Sequence, residues 1–455
     1  MNPFIITTSL DKPDRQTRKL IRSHVMRGKN TRKIRRAREA ESRSGAVVPP
    51  CESWSSAGGK EWVLTTPRKV ASELSLFNYM IEMKPYMLNL LFQALTVIKP
   101  TMHAFDTVTD HSHPGRMLCV ADISQSPAMV HSIMFAAQAF HDMSLGASYG
   151  PLTRFHLAKT LQYLQQSLGD RVEATKSSTM TVVGLLSLAG IIAGDLESAA
   201  KHMDGLQKMI ELRGGWDSLM DREAIEHKAK TIDLYLAAGT GSKLRFVEDI
   251  SWGPHIAHGR WATLAPELKM VHPRPDPRLL NVWVDIREFS TLVNKATTTG
   301  VKLAATSFLQ ISRSAPHRLL SLQCVHPFHE LLRLSMLAFL TPLLINTPGI
   351  GRTMTYLAGK LKASLLEQRF PPLVEQASLL LWSLFITCLS IFEEQDQKWL
   401  RVLVIQTVHT LGLRTWADTR AVLKSFLWVD LVHDQAGERV FEKCVFNTPA
   451  VSCTD

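Results

Sequence analysis

The chain has 455 residues, of which 45% are hydrophobic and 20% are charged, and it carries a formal net charge of +11. This composition is too apolar for a disordered chain, and the length allows one large domain or two closely packed ones. Residues 11–43 carry a net charge of +9, with 13 basic against four acidic residues. Because most of the positive charge lies in this one segment, the rest of the chain is almost neutral. The protein is therefore not expected to bind nucleic acid over its whole surface.

Two further features concern the compartment. The six cysteines are scattered along the chain, which argues against a disulfide scaffold and favours a reducing compartment. The longest apolar runs, 182–194 and 379–392, are shorter than the roughly 20 residues that a membrane-spanning helix needs. We therefore expect no export and no membrane partner.

The N-terminal arm, residues 1–43, holds most of the surplus positive charge. Such a run can contact phosphates, acidic receptor grooves or anionic lipid, and the plain alternative is a solvated tail. If about five of these charges bound DNA phosphates, the logarithmic salt slope would be about −4 to −5, with little choice of sequence. The residues predicted to serve nuclear import or nucleic-acid contact are Arg18, Lys19, Arg22, Arg27, Lys29, Arg32, Lys33, Arg35, Arg36 and Arg38.

Residues 44–69 mix Ser, Gly and Pro and are predicted to link the arm to a helical domain over residues 70–455. There, apolar residues recur every three or four positions, which predicts an all-α, multi-helix domain of antiparallel helices preceded by a disordered arm. A proline-rich passage at 251–277 is either a long surface loop or a subdomain boundary. The predicted helices are 74–98, 128–145, 152–168, 177–192, 195–213, one that contains 232–238, and 279–295, 328–345, 373–392, 397–411 and 416–433.

The clearest predicted helix runs from Asp195 to Arg213. Its apolar residues fall on one face, Asp195 can cap the first backbone amides, and Arg213 suits the negative end of the helix dipole. Gly214 and Gly215 then allow the positive φ with which many helices end. Arg213 is expected to bind backbone carbonyls or a neighbouring carboxylate in a structural role.

Three short motifs resemble catalytic or phosphate-binding sites without their required context. Ser148 stands in a G-x-S-x-G sequence, but the nucleophile elbow needs a preceding strand and the residues before it are helical in pattern. His326 and His329 are followed by Glu330, an order that does not fit H-E-x-x-H and that helix initiation explains better. Residues 239–243 lack phosphate-loop spacing and are expected to end a helix.

A polar cluster comprises His103, Asp106, Asp110, His111 and His113. Imidazole and carboxylate groups bind zinc or iron, but this spacing is not diagnostic and is typical of a loop between helices. The 10 tryptophans and 17 methionines suit either a ligand pocket or a core, and a core is favoured. No catalytic residue, metal ligand or cofactor is therefore predicted.

Four strings of the sequence together resemble the fungal-specific transcription factor domain, the helical regulatory region of fungal zinc-cluster regulators and of relatives without the cluster. The strings are residues 18–33, 202–219, 232–246 and 423–442. The second, HMDGLQKMIELRGGWDSL, resembles the signature helix of that family followed by its Arg-Gly-Gly end. The signature residues implied by this resemblance are His202, Gly205, Arg213, Gly214 and Gly215.

The resemblance implies a nuclear regulator of transcription, whose partners are other transcription regulators or a second copy of itself, together with a nuclear import receptor. It implies no catalytic residue. A binuclear zinc cluster needs six cysteines within about thirty residues, and only Cys51 lies in the first hundred, so no position inherits a zinc-binding or base-reading role. DNA binding is expected to be weak and non-specific. The alternative is a helical scaffold or adaptor whose basic arm binds membrane or acidic partners.

Overall fold

The computed structural model describes residues 74–99, 104–110, 120–219, 222–247, 249–257, 266–268, 271–344, 353–392 and 397–445. The basic arm and the predicted linker lie outside these described residues. Within them the secondary structure is helical, and β-type pairing is limited to an isolated bridge between Thr109 and Leu303. The predicted all-α fold class is confirmed.

Sixteen α-helices lie in the described part of the chain. The first eight are α1 (Pro85–Gln93), α2 (Val120–Ser124), α3 (Pro127–Ser144), α4 (Pro151–Leu168), α5 (Arg171–Ala174), α6 (Ser177–Ala193), α7 (Leu196–Arg213) and α8 (Arg222–Thr240). The others are α9 (Pro277–Thr299), α10 (Ala305–Ser321), α11 (Pro327–Leu344), α12 (Thr355–Leu366), α13 (Val374–Ser390), α14 (Gln397–Thr410), α15 (Trp416–Lys424) and α16 (Asp430–Val445). None of these described helices is long and apolar enough to cross a membrane.

Many consecutive helices pack against each other, and several of these pairs are joined by short turns within the described residues. Helix α3 packs on α4, α6 on α7, α9 on α10, and α13 on α14. The turn between α6 and α7 has the residues that such a reversal needs. Gly194 adopts a left-handed φ of 83°, and the Asp195 side chain accepts a hydrogen bond of 3.0 Å from the Ser198 amide.

The largest buried side chains lie in the second half of the fold. Trp283 on α9 and Trp382 on α13 are fully buried, and their ring centroids are 5.2 Å apart at an interplanar angle of 74°. Edge-to-face contacts of this kind add to the free energy of burying the two rings. These two tryptophans belong to the core, the role that the composition favours for them.

Two predicted helices are shorter than expected. The helix predicted from residue 74 begins only at Pro85, because the preceding Lys84 is extended with ψ of 153° and a proline disfavours helical backbone before it. The helix predicted over 416–433 is interrupted between α15 and α16. There the Asn294 side chain donates to the Trp428 carbonyl and accepts from the Asp430 amide, both at 2.9 Å, so polar contacts to α9 replace helical hydrogen bonds.

Besides the short helices α2 and α5, two longer helices were not predicted at all. Helix α10 contains Pro316 and many polar residues, which obscure its apolar periodicity in the sequence. Helix α12 is only 12 residues long and its buried face is narrow. Both are stabilised by packing on neighbouring helices, α10 on α9 and α11, and α12 on α8 and α11. Tertiary packing rather than a sequence signal therefore defines them.

Candidate functional site

The signature helix α7 ends as its sequence predicts. Gly214 has a φ of 108°, and the amide of Gly215 donates to the Ile210 carbonyl at 2.9 Å, which closes the last turn. Arg213 in that turn donates a hydrogen bond to the carbonyl of Thr175, just after α5. Of the two partners expected for Arg213, the structure shows a backbone carbonyl.

The other two signature residues have different surroundings. His202 is half-buried, and burial lowers the pKa of its imidazole. Gly205 is exposed on α7, and a methyl group added to it would meet no atom within 4 Å. The signature residues thus form a helix and its termination, and Gly205 lies at a position where space does not demand glycine.

A buried carboxylate on α8 fixes the chain that follows that helix. Asp233 is 1% exposed, and one of its oxygens accepts hydrogen bonds from the backbone amides of Arg245 and Phe246, at 2.6 and 3.1 Å. Its other oxygen binds the Arg245 guanidinium at 3.1 Å. The carboxylate therefore satisfies two amides of a returning segment and one cation at the same time.

Arg245 extends this contact to the signature helix. Its Nε donates to Asp204 on α7 at 2.6 Å, and a second guanidinium nitrogen reaches the Ala200 carbonyl at 3.5 Å. Asp233 and Arg245 both lie in the string 232–246, which carried the resemblance but no residue assignment. An aspartate between Ile232 and Leu234 is the signal that could have identified them, since buried charges are nearly always paired.

Two buried histidines face each other between α3 and α4. The Nδ1 atoms of His131 and His156 are 2.9 Å apart, and the two side chains are 6% and 0% exposed. The Tyr86 hydroxyl lies 3.4 Å from Nε2 of His156, and Tyr163 stacks on His131. Burial, with the neighbouring His131, lowers the pKa of His156 to about 4, so at neutral pH both imidazoles are uncharged and one Nδ1–H donates to the other Nδ1.

The catalytic motifs weighed in the sequence have helical surroundings. Ser148 lies exposed in the turn between α3 and α4, so a helix and not a strand precedes it. In the same turn the Asp142 carboxylate accepts a hydrogen bond from the Gly150 amide at 2.8 Å. Thr240 ends α8, and Gly241 follows with φ of 74°, as predicted for a helix stop. His329, at the start of α11, hydrogen-bonds to the Pro273 carbonyl at 2.7 Å.

The polar cluster at 103–113 lies largely outside the described residues, which include only Asp110 with its side chain. The ten arm residues also lie outside them. Among the described residues, no three His, Cys, Asp or Glu side chains are grouped so that they could hold a metal ion.

A cavity of about 390 Å³ lies between α9 and the turn that joins α15 to α16. Helix α9 contributes Arg287, Ser290, Thr291 and Asn294, and Glu267 completes that side. The turn contributes Lys424 and Ser425 with two aromatic rings, those of Phe426 and Trp428. The cavity is lined by two aromatic rings and seven polar or charged side chains, and its size allows a small molecule to enter.

The charged groups of the cavity differ in their exposure. The Glu267 side chain is 6% exposed, and its oxygens accept from Trp283 Nε1 and from Arg287, each at 2.7 Å. The Arg287 and Lys424 side chains are 39% and 33% exposed. Lys424 is also bound to Asp430 at 2.7 Å. The charges most accessible from the cavity are therefore cationic.

Residues 92–247 match the family model described as the fungal specific transcription factor domain. No curated protein matches the chain, and no solved structure does. The matched stretch ends just after the segment held by Asp233, and it includes α3 to α8 with the signature helix. These residues are about a third of the chain, and for them the predicted resemblance to this family is confirmed.

The match does not reach every string that suggested the family. The arm string at 18–33 and the string at 423–442 lie outside residues 92–247, as does the cavity on α9. Transcription regulation is the class of function that the description of the matched family suggests. The functions of the arm, of the string at 423–442 and of the cavity have to be inferred from the chemistry of their own residues.

Proposed function

We propose that this protein regulates transcription in the nucleus through partner or effector binding by its helical domain, without a zinc-cluster DNA reader of its own. The observation that carries the proposal is the transcription factor domain at residues 92–247. The sequence of the arm supports nuclear action, because ten Lys and Arg side chains between residues 18 and 38 suit an import receptor. The domain is of a type generally without enzymatic activity, and we propose no reaction.

The regulatory role is tested by deleting the gene and profiling transcripts. A defined set of transcripts should change, and expression of the intact protein should restore it. A transcript profile identical to that of the parent strain would remove the regulatory role. Affinity purification from the same cells should recover other transcription regulators or a second, differently tagged copy of the chain.

The import role is tested with a fluorescent fusion. Replacing Arg35, Arg36 and Arg38 with alanine should move the fusion out of the nucleus. The matched control replaces Lys201, Lys208 and Lys295, which are exposed on α7 and α9, and removes the same charge from the helical domain. Nuclear accumulation of both variants would contradict import by the arm.

DNA contact by the arm is tested separately from import. We expect the intact protein to bind duplex DNA weakly, with a logarithmic salt slope of about −4 to −5 and no preference between unrelated sequences. Anionic vesicles serve as the comparison, because the adaptor alternative predicts tighter binding to vesicles than to DNA. A steep preference for vesicles would favour that alternative.

A further inference from the structure

We propose that the cavity between α9 and the α15–α16 turn binds a small aromatic carboxylic acid. This inference rests on the proposed function, because the bound acid would be the effector of the helical domain. Its binding, however, is measured on the purified protein and does not require the regulatory role. Its failure is therefore distinguishable from failure of the regulatory role.

The aromatic part of the ligand is inferred from the rings in the cavity. Phe426 and Trp428 are 8% and 2% exposed, so each presents only a limited part of its ring to the open space. Behind them the ring of Phe426 contacts Trp283 and Trp382, with centroids 6.5 and 6.3 Å away. This aromatic backing holds Phe426 in place, and a flat apolar ring is the group that fits against the small exposed part of such rings.

The carboxylate is inferred from the charges. Arg287 and Lys424 both line the cavity, the first from α9 and the second from the end of α15. The opposing Glu267 carboxylate is almost completely buried behind its own two donors. A ligand carboxylate placed between these two side chains would add charge-assisted hydrogen bonds to the ion pairs that Arg287 and Lys424 already make with Glu267 and Asp430.

Three hydroxyl groups restrict the ligand to a single negative charge. Ser290, Thr291 and Ser425 donate their hydroxyl hydrogens to the backbone carbonyls of Ile286, Arg287 and Val422, at 2.8, 2.9 and 2.6 Å. With their hydrogens used in this way, they offer only lone pairs to the cavity. Lone pairs repel further anionic oxygens, which disfavours phosphates and dicarboxylates, and they can accept from a hydroxyl or amino group on the ligand.

The probe for the test is phenylacetate, followed by isothermal titration and by the change in tryptophan fluorescence. We expect saturable binding with a dissociation constant on the order of 1 mM, since the probe is a fragment of few atoms. Its charge-inverted counterpart, 2-phenylethylamine, should bind at least about tenfold more weakly. Absence of saturable binding by phenylacetate, or equal binding of the amine, would overturn the proposal.

Two variants locate the binding. Lys424→Met keeps most of the side-chain length, removes the cation, and should weaken phenylacetate binding about tenfold, whereas Lys295→Met, an exposed lysine on α9 outside the cavity, should not. Thr291→Phe should obstruct the cavity and also weaken binding. Its control is Thr298→Phe, an exposed residue of α9 whose hydroxyl makes the same bond to its own helix. Circular dichroism checks that each variant folds, and unchanged affinity in both folded cavity variants would show that phenylacetate binds elsewhere.

Discussion

The Asp285 carboxylate on α9 and the Arg318 guanidinium on α10 form an ion pair of 2.6 Å that is almost completely withdrawn from solvent. The side chains are 0% and 2% exposed. Asp285 also accepts hydrogen bonds from the backbone amides of residues 255–257, and Arg318 donates to the Gly253 carbonyl at 3.1 Å. The pair therefore holds the start of the proline-rich passage against both helices.

Replacing Arg318 with methionine should strongly destabilise the fold. The variant keeps most of the side-chain volume but leaves Asp285 as a buried charge without its cation, and breaking such a pair costs about 3–5 kcal/mol. Urea denaturation followed by circular dichroism measures the loss. Lys201→Ala is the control, because it breaks a 2.6 Å pair with Glu197 on the surface, where both side chains are more than two thirds exposed. Equal midpoints for the two variants would contradict the role given to Arg318.

The sequence predicts a helix well when the residues that start and end it are its neighbours along the chain. Helices such as α7 carry their own start, apolar face and stop, so Asp195 and Gly214 fix their limits locally. The break between α15 and α16 depends on Asn294, which is more than 130 residues away from the turn that it holds. No local pattern contains such a contact, and for that reason the predicted helix continued through it.

The candidate site was predicted even less completely. Arg213 could be placed because a helix-end arginine has few roles, and its carbonyl partner was one of two expected. Asp233 and Arg245 stood inside a string recognised for its resemblance, but their pairing depends on a chain reversal after α8. The cavity on α9 exists only because Phe426 and Trp428 are brought to that helix by the interrupted turn.

Arg213→Ala should cost about 1–2 kcal/mol of stability, because it removes a charge-assisted hydrogen bond to the Thr175 carbonyl at a half-buried position. Arg171→Ala, an exposed arginine on the nearby α5, serves as the control. Thermal unfolding of the two variants gives the comparison. If Arg213→Ala left both the stability and the transcript profile unchanged, the residue would be dispensable.

Two glycines on neighbouring helices should respond to alanine in opposite directions. Gly205 on α7 has open space around it, so Gly205→Ala should stabilise the protein by about 0.5–1 kcal/mol through the higher helix propensity of alanine. At Gly239 on α8 an added methyl would lie 2.8 Å from the Thr353 carbonyl oxygen. Gly239→Ala should therefore cost about 1–3 kcal/mol, as overpacking does. Shifts of the same sign in the denaturation midpoint would contradict this distinction.

The pair formed by His131 and His156 should make the fold sensitive to acid. Burial lowers the pKa of both imidazoles, that of His156 to about 4, and the positive charge of nearby Lys159 acts in the same direction on His131. Between the unfolded pKa of about 6.5 and the folded value, the unfolded chain binds more protons than the native protein. The stability contributed by the neutral pair is therefore complete above about pH 6.5 and is lost as the pH falls toward 4.

The replacement His156→Asn tests this dependence. Asparagine cannot titrate, so below pH 6.5 the slope of unfolding free energy against pH should decrease by up to about 1.4 kcal/mol per pH unit relative to the parent protein. His433, whose pKa is lowered to about 3 by burial, titrates in both proteins and cancels in the comparison. Urea titrations at intervals between pH 7 and 4.5 supply the two slopes. Identical slopes would mean that the pKa of His156 is the same in the folded and unfolded protein, which would contradict the effect given to its burial beside His131.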